Sequence, residues 1–437
     1  MAFIFKPSEK VQSPDRPVRV GLIGAGKFGS MFLAQVPTTI GLMVTAIADL
    51  SIDRARDACR NVGWNEEQIA RVRFGTDAMG LIESDDVDVV VEATGHPGAG
   101  IRHARASIVA RKHIVMVNVE ADVLAGPLLA REARDAGVVY TLAYGDQPAL
   151  VCEMVEWARN CGFEVVAAGK GTRYLPSFHA STPDDVWENR GVNPEDAKKG
   201  GMNAQMFNSF IDGTKAAIEM AAVANATGLT PAPTGLAIPP AAADELVSVL
   251  NERTLHHRGQ VEVVSSVERD GSVIPGNLRW GVYVVFAAPN EYSMRCFREY
   301  GVKTDESGKL AALYRPVHLI GLELNVSIFA AALRQESTGC PHGFVADVVA
   351  TAKRDLAAGE ELDGEGGYLV WGKLMPAPDS LRIGALPIGL ASRWKLVRPV
   401  KQGECLTWDD VAVDGDDDAY QYRRAMEREF GLVPQPA

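Results

Sequence analysis

Six residues, Gly24-Ala25-Gly26-Lys27-Phe28-Gly29, join the apolar run VRVGLIG to an amphipathic stretch. In a strand–turn–helix setting the three glycines do separate jobs. The first permits a tight turn, the second lets the backbone approach a pyrophosphate, and the third lets helix and strand pack closely. The phosphates then sit at the positive N-terminus of the helix. Asp49 ends the next apolar run twenty residues after Gly29. A carboxylate there takes ribose hydroxyls and favours NAD. Ser51, Arg54 and Arg56 follow at once, and an arginine there can pair with a 2′-phosphate. Both NADPH and NAD stay open on these residues. Thr94 and Gly95, with Asn118, close later strands and are expected on the cofactor's far side.

A second set of residues could carry the reaction. Asp146 ends a strand and Glu153 follows on the next helix, a pair of carboxylates able to hold Mg²⁺ or Mn²⁺. An ordinary helix-start aspartate with an exposed glutamate explains the same residues equally well. Asp212, Lys215 and Glu219 fall at helical spacing within FIDGTKAAIEMAAVANATG, on one face. The stretch is otherwise small and apolar, so a lysine on an inward face could move protons or polarise a carbonyl. Lys198, Lys199, Asn203, Asn208 and Ser209, together with Lys170 and Thr172, offer cations and amides around glycine, suited to gripping a phosphate or carboxylate of a small substrate. Solvated loop lysines are the plainer reading. His96, beside a proline, reads as a loop histidine more readily than as an acid–base group.

The elements that must position these groups follow from periodicity. From Val18, short β-branched runs alternate with helical stretches as far as residue 150, which predicts a doubly wound parallel sheet, an α/β Rossmann domain. Residues 151–334 read as a central α+β catalytic domain, with 173–209 as a lid-like loop and VEVVSSVERD and RWGVYVVFAA as paired strands. Residues 335–437 read as a small, mostly β module, in which DLAAGEEL and PVKQGECL are alike. A chain of 437 residues exceeds what one core normally serves. The net charge of −12 argues against a nucleic-acid or anionic-membrane surface. Six scattered cysteines without a CxxC pair suit reduced thiols and a cytoplasmic setting. The apolar segment Val317 to Leu333, interrupted by Glu323 and Asn325, is too short to span a bilayer and is expected as a dimer interface.

The runs VVVEATG and HIVMVN and the Asp212/Lys215 helix resemble homoserine dehydrogenase over about residues 18–330, although Asn118-Val119-Glu120 lacks that family's lysine and Asp212 and Lys215 are spaced by three rather than four. KRDLAAGEEL and VKQGECLTWDDV resemble an SAF (β-clip) domain. The combination is similar to the 1-deoxy-D-xylulose 5-phosphate reductoisomerase-like proteins of isoprenoid synthesis. That resemblance implies NADPH-dependent rearrangement and reduction of a phosphorylated keto-sugar to 2-C-methyl-D-erythritol 4-phosphate in a homodimer. Asp146 and Glu153 would hold the metal, Lys215 and Asp212 would handle protons, and the lid lysines and asparagines would clamp the phosphate. Two other readings stand beside it. One is a dehydrogenase of homoserine-like or sugar-acid substrates; the other is a non-catalytic regulatory or carbohydrate-binding protein on a nicotinamide fold.

Overall fold

The computed structural model describes residues 13–199 and 202–431, with the side chains of 198 and 199 outside that set. The described chain divides into two compact units. One runs to Glu153 and takes back His318–His342; the other holds Met154–Val317 and the residues from Gly343 onward.

Unit 1 is built on β1 (Val18–Ile23), β2 (Leu42–Ala48), β3 (Arg73–Gly75), β4 (Val89–Glu92), β5 (His113–Met116) and β6 (Tyr140–Leu142). Their order is β3-β2-β1-β4-β5-β6, and every pairing is parallel. Helices cover both faces, so β4 is buried at every position and reads as a continuous apolar run rather than an alternating one. The short edge strand β3 carries no apolar run, which is why the sequence does not announce it. Val20, Leu22, Phe32, Val44 and Ile47 form the core on one face, and Leu324 and Ile328 from the returning segment complete it. The apolar stretch expected as a dimer interface thus closes unit 1's own core. In the first turn of the helix Val119–Asp135, Asp122 is wholly buried. It accepts the Tyr140 hydroxyl at 2.9 Å through Oδ1, while Oδ2 meets no partner. Burial pushes its carboxyl up to about 7.

Unit 2 holds a mixed sheet of β7 (Glu164–Thr172), β8 (Gln260–Ser265), β9 (Val282–Ala287), β10 (Lys303–Thr304) and β11 (Leu310–Arg315), ordered β10-β11-β9-β7-β8. The runs expected to pair with each other, β8 and β9, instead flank β7, one parallel and one antiparallel. The helix Thr214–Thr227 packs on β7 and β8 and also on the antiparallel pair β12 (Ala346–Ala352) and β14 (Val370–Pro376). A helix covered on both sides must be apolar all round and thin, which accounts for its alanines. A second small pair joins β13 (Glu361–Asp363) to β15 (Ser392–Lys395). The two similar phrases meet each other: Leu356 and Val400 exchange backbone hydrogen bonds of 2.8 and 3.1 Å. The terminal helix Asp418–Phe430 is pinned by the wholly buried Arg423, which donates to Asp347 at 2.6 Å and to Glu427 at 2.8 Å.

Among the described residues no helix is long and apolar enough to cross a membrane.

Candidate functional site

The glycine loop forms as its spacing requires. Gly24 has φ +95°, and a Cβ there would lie 2.7 Å from the Ala93 carbonyl oxygen, so only glycine fits beside β4. Gly26 is the opposite case, because a Cβ there would meet nothing within 4 Å. That open space lies at the start of the helix Lys27–Gln35, which has no side-chain cap and no acid in its first turn. A helix N-terminus of this kind suits an anion. Lys27 is exposed there, and Phe28 packs on the core. A dinucleotide pyrophosphate fits this cradle.

Asp49 sits at the end of β2 and is 6% exposed. Its Oδ2 accepts the Ala25 amide at 2.8 Å, which ties β2 to the glycine loop. Its Oδ1 accepts the Ser51 amide at 2.9 Å and the Arg54 guanidinium at 2.5 Å. The carboxylate therefore turns into the loop, and the Arg54 side chain, 59% exposed, covers it.

The far edge is equally fixed. Asn118 is 1% exposed and caps the helix Val119–Asp135 by accepting the Ala121 amide. Its Nδ2 donates to the His96 carbonyl at 3.0 Å. The Thr94 hydroxyl donates to Glu92 at 2.5 Å. Gly95, at φ +69°, faces open space. His96 caps the helix Pro97–Val109 through Nδ1, which accepts the Ala99 amide at 3.2 Å. These contacts hold the two turns at the carboxyl ends of β4 and β5, where ligands of such sheets bind.

The carboxylates expected to bind a metal do other work. Glu153 accepts the Tyr144 hydroxyl at 2.6 Å, and Asp146 Oδ1 accepts the Gln147 amide at 2.8 Å. Among the described residues no group of three His, Cys, Asp or Glu side chains gathers as a metal site.

In unit 2 the expected helix-face trio is dispersed. Gly213, at φ +92°, starts the helix Thr214–Thr227, so Asp212 lies outside it and caps it from the Thr214 amide at 2.9 Å. The opposite charge for Asp212 is Lys353, whose Nζ lies 2.8 Å from Oδ2. That approach is off the hydrogen-bond line, so Oδ2 is held by charge rather than by a directed bond. Lys353 also donates to the carbonyls of Ser181 and Gly367, at 2.7 and 2.6 Å. Glu219 takes a buried ion pair from Lys170 instead of meeting Lys215. Lys215 remains half-buried on the first turn.

His179 stacks on Trp371 with ring centroids 3.8 Å apart. Its Nδ1 lies 2.8 Å from the Asp212 carbonyl, which can only accept, so Nδ1 carries the proton and Nε2 accepts from the Tyr174 hydroxyl. Burial lowers the imidazole's pKa, in keeping with a neutral ring.

The lid-like stretch is not irregular. It folds into short helical turns, among them Val186–Arg190, Pro194–Lys199 and Ala204–Ser209. Their polar residues serve the turns themselves. Asn203 caps the last by accepting the Met206 amide. Asn208, fully buried, donates to the Ser181 and Gly366 carbonyls, and the Ser209 hydroxyl donates to Met206. Thr172 accepts the Ser266 amide through its carbonyl. Lys198 and Lys199 close their turn, and their side chains lie outside the described residues. What the sequence reading missed is basic: Arg173, Arg190 and Arg279, which no spacing connects.

A model of the family described as "Oxidoreductase DRL, catalytic domain" matches residues 145–324. Over 79 residues, 18% of this chain and 21% of the relative, the sequence is 42% identical to inositol 2-dehydrogenase 2 of Paenarthrobacter aurescens (strain TC1). It is 34% identical over 123 residues, 28% of this chain and 34% of the relative, to inositol 2-dehydrogenase of Acidothermus cellulolyticus (strain ATCC 43068 / DSM 8971 / 11B). The chain thus spans about a fifth to a third of the length of these curated relatives. Among solved structures, myo-inositol dehydrogenase from Lactobacillus casei, in complex with NAD(H) and myo-inositol, overlaps 39% of this chain and 50% of its own at a TM-score of 0.30 and 18% identity. Both curated relatives are inositol dehydrogenases. They correct the expected likeness to homoserine dehydrogenase and to the 1-deoxy-D-xylulose 5-phosphate reductoisomerase-like proteins, and the isoprenoid reading goes with it. The sheet order and the glycine cradle are those of a dinucleotide-binding sheet, and the family model matched over residues 145–324 is that of an oxidoreductase catalytic domain.

Proposed function

We propose that the chain oxidises a secondary hydroxyl of a small polyhydroxylated substrate, of the cyclitol or sugar class, to a ketone, and runs the reverse reduction. The observation that carries this is the Gly24–Gly29 cradle, open at Gly26 and tied to Asp49 at the end of β2. The substrate class comes from the inositol dehydrogenases that the chain resembles in part.

Gly24, Gly26 and the amides opening Lys27–Gln35 would hold the pyrophosphate, and Arg54 would meet the adenosine ribose. When bound, the dinucleotide supplies the hydride acceptor. Because Asp49 turns into the loop while Arg54 stays exposed, NADP(H) is the favoured partner. In unit 2 the residue assigned to the substrate's proton is Lys215. It stands half-buried on the first turn of the helix Thr214–Thr227, and a lysine in such a place can hold or release a proton. We read residues from Gly343 onward as an SAF-like module, on the strength of their short strands and glycine turns.

The test is steady-state reduction of NADP⁺ and NAD⁺ by the full chain, with myo-inositol and a panel of cyclitols, aldoses and sugar acids. Turnover with at least one member supports the reading. It should be lost in Lys215→Met while dinucleotide binding is kept. Absence of turnover across the panel, despite cofactor binding, would overturn it.

A further inference from the structure

Three arginines converge in unit 2 from separate stretches. Arg173 follows β7, Arg190 ends the turn Val186–Arg190, and Arg279 precedes β9. Each is half-buried. The Arg173 Nε donates to the Asn189 carbonyl at 3.2 Å, which brings the end of that turn, and with it Arg190, to the end of β7. The backbone of residues 278 and 279 packs on the same strand end: a Cβ at Gly171 would lie 1.9 Å from the Leu278 carbonyl oxygen and 3.1 Å from the Arg279 nitrogen.

Aromatic rings support two of the three. The Arg190 guanidinium carbon stands 4.7 Å from the Phe207 ring centroid and that of Arg279 stands 4.8 Å from Trp280. Burial first, and then the charge of a neighbouring arginine, Arg279 for Arg190 and Arg173 for Arg279, lowers the Arg190 and Arg279 guanidinium pKa values.

What is missing is a counter-charge. Several other arginines find acids, as Arg19 finds Asp88, Arg258 finds Glu164 and Arg398 finds Asp410. Among the described residues no carboxylate stands within ion-pair distance of Arg173, Arg190 or Arg279. Gathering like charges in a partly desolvated place opposes folding unless an anion offsets it. Planar guanidinium forks stacked on rings are shaped for a bidentate oxyanion.

We propose that Arg173, Arg190 and Arg279 form an oxyanion subsite that takes the phosphate or carboxylate of a small acidic molecule. All three lie within the span matched by the oxidoreductase catalytic domain. Resting on the dehydrogenase reading, the subsite makes the substrate an acidic polyol, a phosphate ester or a sugar acid, rather than a neutral one. The anion binding itself does not depend on that reading.

The experiment is calorimetric titration of the full chain with inorganic phosphate, myo-inositol 1-phosphate, glucuronate and neutral myo-inositol, at fixed ionic strength in chloride. Wild type is compared with Arg279→Met, Arg190→Met and the charge-keeping Arg279→Lys, and NADPH is titrated in parallel. Saturable binding of phosphate or of a carboxylate is expected, tighter in the phosphate or the acid arm according to the source of the oxyanion. The methionine variants should weaken it by about tenfold or more, the loss of one charge-assisted pair, with Arg279→Lys between. Thermal midpoints should stay level or rise, because no ion pair is removed. Equal affinity in wild type and the methionine variants, or no saturable binding of either oxyanion, would overturn the subsite. If NADPH still binds in that case, the dehydrogenase reading stands. If the oxyanions bind but no dinucleotide does, that reading falls and the subsite stands.

Discussion

The Lys353 ammonium lies 2.8 Å from the Asp212 carboxylate, with side-chain exposures of 2% and 0%. The lysine comes from the start of the segment read as a separate C-terminal module, and the aspartate from just before the helix Thr214–Thr227. The pair therefore fastens the last hundred or so residues of unit 2 to its central helix.

Removing one partner leaves a buried charge alone, which costs about 3–5 kcal/mol. Lys353→Met should accordingly lower stability by that order in denaturant titration. The double variant Lys353→Met/Asp212→Leu should regain much of the loss. A double variant no better than the single would remove charge burial as the cause.

Asp122 gives a pH dependence with a definite sign. Its folded carboxyl is raised to about 7, above the unfolded value of about 3.9. Between these values the folded state holds a proton that the unfolded state has lost. Its contribution is therefore full below the unfolded value and is lost as pH rises, by at most about 1.4 kcal/mol per pH unit. The neighbouring Cys340 thiol is itself pushed up to about 12 and stays protonated throughout. Denaturant unfolding of Asp122→Asn across this window should show a flatter profile than wild type; a slope equal to wild type would contradict the assignment.

Much of unit 1 was legible because its signals are local. The run VRVGLIG, the three glycines and Asp49 lie within one strand–turn–helix–strand, so spacing alone places them. Unit 2 was less legible because its pairings are long-range. Asp212 and Lys215 are neighbours in sequence, yet Gly213 breaks the helix between them, and the partner of Asp212 lies at 353. Lys170 looked available on a glycine-rich strand end, but Glu219 turns inward to meet it. Arg173, Arg190 and Arg279 could not be grouped before the approach of residues 278 and 279 to Gly171 was known.

The cofactor preference rests on Arg54. With Asp49 bonded to the Ala25 amide, the exposed guanidinium is the group that would meet a 2′-phosphate under the proposed reading. Arg54→Ala should weaken NADPH by about tenfold, the loss of one charge-assisted contact, and leave NADH nearly unchanged. Equal losses for both cofactors would argue against that role.

The central claim is that the Gly24–Gly29 cradle holds a nicotinamide dinucleotide. Gly26 has an ordinary φ of −73° and open space at its Cβ position, so Gly26→Val should fold with an unchanged thermal midpoint while its side chain enters the pyrophosphate's place. Equilibrium titration with NADPH and NADH, wild type against this variant, is the direct measurement. The account predicts saturable binding to wild type and a loss of about tenfold or more in the variant, the order of one good charged contact. No binding to wild type, or equal binding to both, would contradict it.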